Sequence, residues 1–312
     1  MVTVCPREPS AVWLDGAIVT PLEHDGSNRF SGGVYSADRR LCKLALRPSE
    51  KAYFKHTPAA DHDKTACPFI AGTFLYGGII FDIFGHDLFE MPTRLWPIVN
   101  GEKFDGVLFH GWKKNLVGIE DTSAAVRHVM DCFSIPRDRG LIVARTALQV
   151  ERLLVPEICL KIDDHALPMA QRCYDLIRDM TAANPEVPGR ERIYLSRMRL
   201  APGRIFEHEP LIQDAALRSG FAVVHPQELP LPVQIKMMGW TRFVCGLDGS
   251  ALHLITFSYP KTEVLCLNTR KVFNANQKII EDLMGASSVH LYIGDKTKAE
   301  LQEVLQTCFS QS

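Results

Sequence analysis

The feature that most constrains the fold of this chain is an alternation of short apolar runs with helical patterns in its second half. Helical periodicity, as in Glu209–Ser219, falls between the apolar runs. Strands that alternate with helices of about ten residues or more favour parallel sheets covered by helices. We therefore predict an α/β fold with a doubly wound second domain. Its strands are expected at Arg192–Ser196, Ala222–His225, Phe243–Gly246, Glu263–Leu267 and Val289–Ile293.

The length of 312 residues indicates two domains, because single hydrophobic cores stop growing at roughly 250–300 residues. A loop-rich stretch around 155–166 is the best boundary. We predict an N-terminal acceptor-side α/β domain over residues 1–160 and a Rossmann-like, nucleotide-sugar-binding domain over residues 161–295. Residues 296–312 form a final helix, with packing back on the first domain as one expectation. Its apolar face comprises Leu301, Val304, Leu305 and Phe309.

Composition excludes several classes of protein. The chain has 35 basic and 36 acidic side chains, whereas a nucleic-acid binder shows a basic excess, so no nucleic-acid partner is expected. No signal peptide is evident at the N-terminus, and the most apolar stretch, 74–84, is too short to span a bilayer. Nine cysteines without a Cys-x-x-Cys pair favour reduced thiols. We expect a cytoplasmic protein, with peripheral association with the inner membrane left open.

One candidate for acid–base chemistry is the predicted helix Phe84–Val99. His86, Glu90 and Arg94 are spaced four apart and form a polar stripe beside the apolar face. A histidine beside a carboxylate can act as a general base near neutral pH. The alternative is a solvated face on which Glu90 pairs with Arg94. The preceding glycine pair, Gly77 and Gly78, suggests a close backbone approach.

A second candidate site follows the predicted strand Arg192–Ser196. Arg197 and Arg199 are two residues apart, so we expect them on the same side of the chain. Ligands of open α/β sheets bind outside the carboxyl ends of the strands, and arginine binds a diphosphate through paired hydrogen bonds. Surface cations at a strand end are the alternative interpretation.

A third candidate is the segment FVCGLDGSALHLITF, residues 243–257. A strand leads into a glycine-bearing turn with Asp248, Gly249 and Ser250, and a helical run follows. Such a turn can present backbone N–H groups and the positive end of a helix dipole to an anion. Asp248 or Ser250 can equally be a simple N-cap, and His253 can be a packing residue. The segment matches no dinucleotide, Walker or serine-hydrolase motif.

An Asp-x-Asp triplet, Asp61-His62-Asp63, can in principle hold a divalent metal against a diphosphate. It lies in a polar stretch with no apolar strand leading into it. We interpret it as a solvated loop and expect no metal.

The ordered set of segments resembles glycosyltransferase family 61, whose bacterial members include capsular-polysaccharide enzymes. In FGHDLFEMPTRLW, His86, Glu90 and Arg94 match the family's His, acid and Pro-Arg-Leu pattern, with one threonine inserted after Pro92. In RIYLSR, Ser196 carries over, together with Arg197.

Two later segments extend the resemblance. EHEPLIQDAALRSGFAVVHPQELPLPVQI is similar to a helix, strand and Pro-x-Glu-Leu stretch of the family, which places Glu209 and Glu228. CGLDGSALH is similar to its glycine-rich loop and places Gly249, Ser250 and His253. Asp248 stands where many members have histidine, so the role of this position is open.

The resemblance implies a GT-B-like architecture of two Rossmann-like domains facing a central cleft. It also implies an inverting transfer from a nucleotide-sugar donor to a glycan or lipid-linked saccharide acceptor, with no bound metal or other cofactor. His86 or Glu90 is the expected base, with Arg94 and Glu209 as further family positions. The expected donor-binding residues are Ser196, Arg197, Arg199, Glu228, Asp248, Gly249, Ser250 and His253.

Two other classes of protein stay open at this point. A nucleotide-binding hydrolase or epimerase can contain the same strand, turn and helix, and bound NAD would indicate it. A non-catalytic sugar- or nucleotide-binding module of a polysaccharide assembly complex is the other, because Asp248 departs from the family pattern.

Overall fold

The computed structural model describes residues 3–24, 29–46, 55–57, 67–143, 145–182, 189–201 and 205–310. The chain divides into two compact units. We call Cys5–Leu176 the N-terminal unit, and Ile177–Ser312 with Met1–Val4 the C-terminal unit. The division falls inside a helix, after the boundary expected between residues 160 and 161.

Both units contain strands and helices, which confirms the predicted α/β class. The strands are β1 (Thr3–Val4), β2 (Ala11–His24), β3 (Arg29–Tyr35), β4 (Lys55–Thr57), β5 (Phe69–Ile80), β6 (Gly106–Gly111), β7 (Gly140–Val143), β8 (Leu148–Pro156), β9 (Leu160–Lys161), β10 (His165–Ala166), β11 (Arg192–Leu195), β12 (Ala222–Val224), β13 (Phe243–Leu247), β14 (Glu263–Asn268) and β15 (Ser287–Tyr292). The α-helices are α1 (Phe84–Phe89), α2 (Trp96–Val99), α3 (Ala124–Cys132), α4 (Met169–Ala182), α5 (Glu209–Arg218), α6 (Leu231–Met238), α7 (Ala275–Met284) and α8 (Lys298–Ser310).

The main sheet of the N-terminal unit is mixed, with the order β4-β3-β2-β8-β5-β6-β7. Strands β8, β5, β6 and β7 are parallel neighbours, whereas β2 is antiparallel to β3 and to β8. The expectation of a Rossmann-like first domain therefore fits only the parallel part. The four residues between β2 and β3 are too few for the crossover that a parallel pair requires.

The sheet of the C-terminal unit is entirely parallel, with the order β12-β11-β13-β14-β15. Numbered within the unit, this is the 2-1-3-4-5 order of a doubly wound sheet. The strands are those that the apolar runs predict. The chain changes direction across the sheet between β11 and β13, so their carboxyl ends form the switch point at which such sheets bind ligands.

The final helix packs on its own unit, which corrects the expectation that it returns to the first domain. Leu301, Leu305 and Phe309 are buried in one cluster with residues of the C-terminal sheet. The rings of Phe309 and Phe221 lie 4.9 Å apart. Because α8 follows β15 in the chain, its apolar face packs against the sheet to which β15 belongs.

The predicted helix Phe84–Val99 is broken into three short pieces. Between α1 and α2 lies a 3-10 turn, Met91–Arg94. Pro92 and Pro97 are the second residues of the second and third pieces. Proline lacks an N–H donor and disfavours helical backbone at the residue before it, so the hydrophobic period continues while the α-helix does not.

We expect Leu305→Ala to lower the free energy of unfolding by about 2–5 kcal/mol, because it leaves a cavity in the core. Leu305 is fully buried, whereas Leu217 on α5 is 53% exposed. Urea denaturation measures both variants, and Leu217→Ala should change the value by about 0.5 kcal/mol or less. Equal stability of the two variants would show that α8 adds nothing to this core.

Candidate active site

The first group of site residues lies beyond the carboxyl ends of β5 and β6 in the N-terminal unit. The Phe81 ring lies 5.1 Å from the His86 ring and 5.2 Å from the Trp112 ring. Nearby, the Lys113 ammonium is 2.6 Å from the Asp82 carboxylate. His86 therefore lies at the edge of the parallel strands, where ligands of α/β sheets bind.

His86 and Glu90 form the pair that their spacing predicts. His86 Nδ1 lies 2.6 Å from Glu90 Oε2, and the side chains are 29% and 6% exposed. An ionised carboxylate only accepts hydrogen bonds, so this contact places the proton on Nδ1 and leaves Nε2 as the basic nitrogen. The pair has the geometry of a general base oriented by a carboxylate.

Arg94 does not continue the predicted polar stripe. Its guanidinium donates to the carbonyl oxygens of Pro156 at 2.6 Å, Leu44 at 3.1 Å and Leu46 at 3.2 Å. It also lies 5.4 Å from the centre of the Tyr76 ring. Arg94 thus ties together separate backbone segments inside the unit, which is a structural role and not a surface ion pair.

The glycine pair before α1 makes the close approach that the sequence suggests. A Cβ atom on Gly77 would lie 2.1 Å from Phe109 Cε1. Gly78 has φ +96°, and a Cβ there would lie 3.0 Å from Arg94 Cδ. Both glycines therefore serve packing around Arg94 and the neighbouring strand.

Asp87 is a residue of this region that sequence reasoning missed. It is buried, and its carboxylate accepts from the N–H groups of Phe81 at 2.8 Å and Ile83 at 2.9 Å. Burial raises the pKa of Asp87 from 3.8 to about 6, although the two backbone hydrogen bonds lower it. The sequence carries no clear signal for this role, because both partners are backbone N–H groups that precede α1.

The second group of site residues lies at the switch point of the C-terminal sheet. Arg197 follows β11, and its Nη1 donates to the carbonyl oxygen of Asp248 after β13 at 3.1 Å. A Cβ on Gly249, which has φ +147°, would lie 3.5 Å from the same Nη1. The structure therefore places a guanidinium against the glycine-bearing turn, as the sequence predicts.

Ser196 and Glu209 hold the turn that carries Arg197. Glu209 Oε1 accepts from the Arg197 N–H at 2.5 Å and from the Tyr194 hydroxyl at 3.2 Å. Burial raises the pKa of the Glu209 carboxyl. The Ser196 hydroxyl donates to Gln213 Oε1 at 2.8 Å. Both predicted residues thus bind the protein's own groups and position the arginine.

Asp248 ties the ends of two neighbouring strands together. Its Oδ1 accepts from the N–H and from the hydroxyl of Thr269 after β14, both at 3.2 Å. A carboxylate oxygen can accept two hydrogen bonds at once. The departure from the family's histidine therefore has a structural explanation.

The helical run after Ser250 is a 3-10 helix, Leu252–Phe257, and not an α-helix. Ala251 is its N-terminal cap and makes no side-chain capping bond. The expectation that Asp248 or Ser250 caps an α-helix is therefore wrong, and so is the helix-dipole argument. The hydrophobic period predicted a helix, but six residues in 3-10 form give too short a set of aligned peptide dipoles.

Arg199 and Arg197 take different partners, although their spacing predicted one side of a strand. Strand β11 ends at Leu195, and the chain then turns through a hydrogen bond from the Leu200 N–H to the Arg197 carbonyl at 2.9 Å. Arg199 forms an ion pair with Glu228 after β12, and both side chains are exposed. The alternation of a strand no longer applies where the strand has ended.

His253 is neutral at pH 7 in this environment. Its Nε2 is shielded from solvent, and burial lowers its pKa to about 4. It cannot serve as a cation for a phosphate, and this favours the packing interpretation that the sequence left open.

The triplet at residues 61–63 lies outside the described residues. Within the described part of the chain, no group of three His, Cys, Asp or Glu side chains is placed to hold a metal ion. No helix among the described residues has the length and apolar character needed to cross a membrane.

Comparison with known proteins identifies one family. The family model described as Glycosyltransferase 61 matches residues 84–265, more than half of the chain. All the predicted site residues lie within this range, from His86 to His253. No curated protein matches this chain.

We expect the contribution of Asp87 to the protein's stability to fall as the pH rises from about 4 to about 7. Its pKa is raised in the folded state, so its contribution is fully present below the unfolded pKa and is lost as the pH passes the folded pKa. At about 1.4 kcal/mol per pKa unit, the group contributes about 3 kcal/mol to this change.

The test is urea denaturation of the wild type and Asp87→Asn across this pH range. The variant should be less stable than the wild type at low pH, since an amide has only one acceptor oxygen for two N–H groups. This deficit should shrink by about 3 kcal/mol as the pH rises, so the two slopes against pH should differ. An unchanged slope would contradict the assignment to Asp87.

Proposed function

We propose, because the chain belongs to glycosyltransferase family 61, that it is an inverting enzyme which uses a nucleotide sugar as donor. The family match supports glycosyltransferase activity. The acceptor we propose is a glycan or lipid-linked saccharide of surface or capsular polysaccharide synthesis. A GT-B class, a cytoplasmic setting with peripheral contact at the inner membrane, and a reaction without metal belong to the same proposal. Nine free cysteines, five of them buried, support a reducing compartment.

The observation that carries the proposal is the position of Arg197 beside Gly249 at the switch point of a parallel sheet. The leaving nucleoside diphosphate gains negative charge in the transition state, so fixed positive groups directed at it lower the barrier. We assign this role to Arg197 and to the N–H groups of Gly249 and Ser250. Arginine suits it, because its planar fork matches phosphate oxygens.

The other predicted donor residues take supporting positions in this proposal. Ser196, Glu209 and Asp248 hold the turns that carry the phosphate-binding groups. Arg199 and Glu228 form the outer part of the donor site, beyond the ends of β11 and β12.

The acceptor hydroxyl must lose a proton as its oxygen attacks the anomeric carbon. In the proposed single displacement, the new carbon–oxygen bond forms while the bond to the diphosphate oxygen breaks, which inverts the configuration. The proton passes to His86 Nε2, and Glu90 stabilises the imidazolium through the contact at Nδ1.

A thermal-shift screen against UDP, GDP, CMP and their sugar conjugates tests the donor site. A ligand that binds only the folded state stabilises it by about 2.7 kcal/mol at one hundred times its Kd. We expect Arg197→Ala to remove at least about half of this stabilisation, because a hydrogen bond to a charged group contributes about 1.5–3 kcal/mol.

The matched control is Arg218→Ala on α5. Arg218 also forms an ion pair, with Asp214, and is exposed, so its loss should leave the nucleotide-induced shift unchanged. If no nucleotide stabilises the wild type, or if both variants respond equally, the donor site is placed wrongly.

We expect His86→Ala to lower the rate of sugar transfer by about 10²–10⁴-fold, the usual contribution of a general base. Glu90→Gln should lower the rate less, because it keeps the shape but loses the charge that stabilises the imidazolium. Transfer is measured as release of the nucleoside diphosphate in the presence of acceptor. Both variants should keep the nucleotide-induced thermal shift, which controls for folding.

The base assignment fails if His86→Ala and Glu90→Ala both transfer sugar within a few-fold of the wild type. A loss of the thermal shift in these variants would instead indicate a structural role for the pair.

A further inference from the structure

A second concave site lies at the opposite end of the C-terminal sheet from Arg197. A groove of about 710 Å³ is lined by residues 189–191, 239–242 and 259–263. These segments lead into β11, β13 and β14, so the groove follows the amino ends of three neighbouring strands. Five residues of β13, at about 3.3 Å each, separate the two edges by about 16 Å. The groove is therefore distinct from the proposed donor site.

Two exposed aromatic side chains line this groove. Trp240 is 59% exposed and Tyr259 is 54% exposed. The Arg178 guanidinium lies 4.4 Å from the centre of the Tyr259 ring, and it also donates to the Ser258 carbonyl at 3.3 Å. Arg178 is held by the Ser258 carbonyl and therefore restricts the position of the Tyr259 ring. Flat aromatic rings with a polar edge suit ligands that are partly apolar and partly hydrated.

The charged side chains of the groove are three cations and two carboxylates. Arg190, Arg242 and Lys261 contribute cations, and Glu191 and Glu263 contribute carboxylates. Sugar hydroxyls both donate and accept hydrogen bonds, and the C–H face of a sugar ring packs on aromatic rings. The near balance of charge favours an uncharged saccharide over a polyanion or an acidic peptide.

The backbone around the groove is held by the sheet. The N–H groups of Arg242 and Phe243 donate to the Glu191 carbonyl, both at 2.9 Å, and Glu263 N–H donates to the Arg242 carbonyl at 2.7 Å. A site that is rigid before binding loses less conformational entropy when the ligand binds.

We propose that this groove binds an uncharged stretch of a saccharide chain, as a second glycan site apart from the site of transfer. The choice of a saccharide rests on the proposed function, in which the acceptor and the product are glycans. A chain held at the groove keeps its growing end at a high effective concentration, so successive transfers do not require fresh encounters.

Isothermal titration of the full chain with cello-, malto-, xylo- and chito-oligosaccharides, as tetra- to hexasaccharides, tests the proposal. We expect at least one series to bind, with affinity that rises with length. Trp240→Ala and Tyr259→Ala should each weaken binding about tenfold or more, as buried aromatic anchors of interfaces do. The nucleotide-induced thermal shift should be unchanged in both variants.

Phe69→Ala is the matched control, since Phe69 lies on β5 of the N-terminal unit and is also 59% exposed. It should bind the saccharide as the wild type does. The proposal is overturned if no series binds, or if the Trp240 and Tyr259 variants bind like the control. Saccharide binding at the groove without any nucleotide response would uphold this site and reject the proposed donor site.

Discussion

The contact between Arg197 and the Asp248 carbonyl joins the two strand ends on which the candidate donor site depends. Parallel strands that diverge at a switch point leave a crevice between their carboxyl ends, and a cation there needs fixed partners to stay in place. Glu209 fixes the backbone of Arg197, and Asp248 is fixed by Thr269, just after the next strand. Because these partners are protein groups, the guanidinium is oriented before any ligand arrives, which is the condition for electrostatic catalysis.

In the N-terminal unit, too, buried charged side chains are held by protein groups, but their roles differ. Asp87 binds backbone N–H groups, and Arg94 binds backbone carbonyls, so both hold separate parts of the chain together. Glu90, by contrast, contacts the partly exposed side chain of His86. Burying a charge costs free energy unless the charge is paired. The contact of Glu90 with His86 Nδ1 provides such a partner and leaves Nε2 as the basic atom of the imidazole. The arrangement therefore favours His86 as base over Glu90.

The sequence predicted the parts of the fold that depend on periodicity. The strands of the C-terminal sheet follow from apolar runs between helical patterns, and the pair of His86 with Glu90 follows from a spacing of four. Predictions failed where the sequence pattern continued although the helix or strand had ended. Proline divided the helix after Phe84, and β11 ended before Arg197 and Arg199 could share a side. Asp87 was missed because its partners are backbone N–H groups, which no side-chain pattern reveals.

Asp248 stands where the resemblance to the family predicts histidine, and this departure was the reason to consider a non-catalytic module. Its carboxylate accepts two hydrogen bonds from Thr269, and its carbonyl accepts from Arg197. A neutral histidine has one acceptor nitrogen, so it could not make both contacts with Thr269. Asp248 therefore links the ends of β13 and β14 and also contacts the cation at the switch point. Asp248 is therefore compatible with the proposed donor site, and the assignment as a glycosyltransferase rests on the family match.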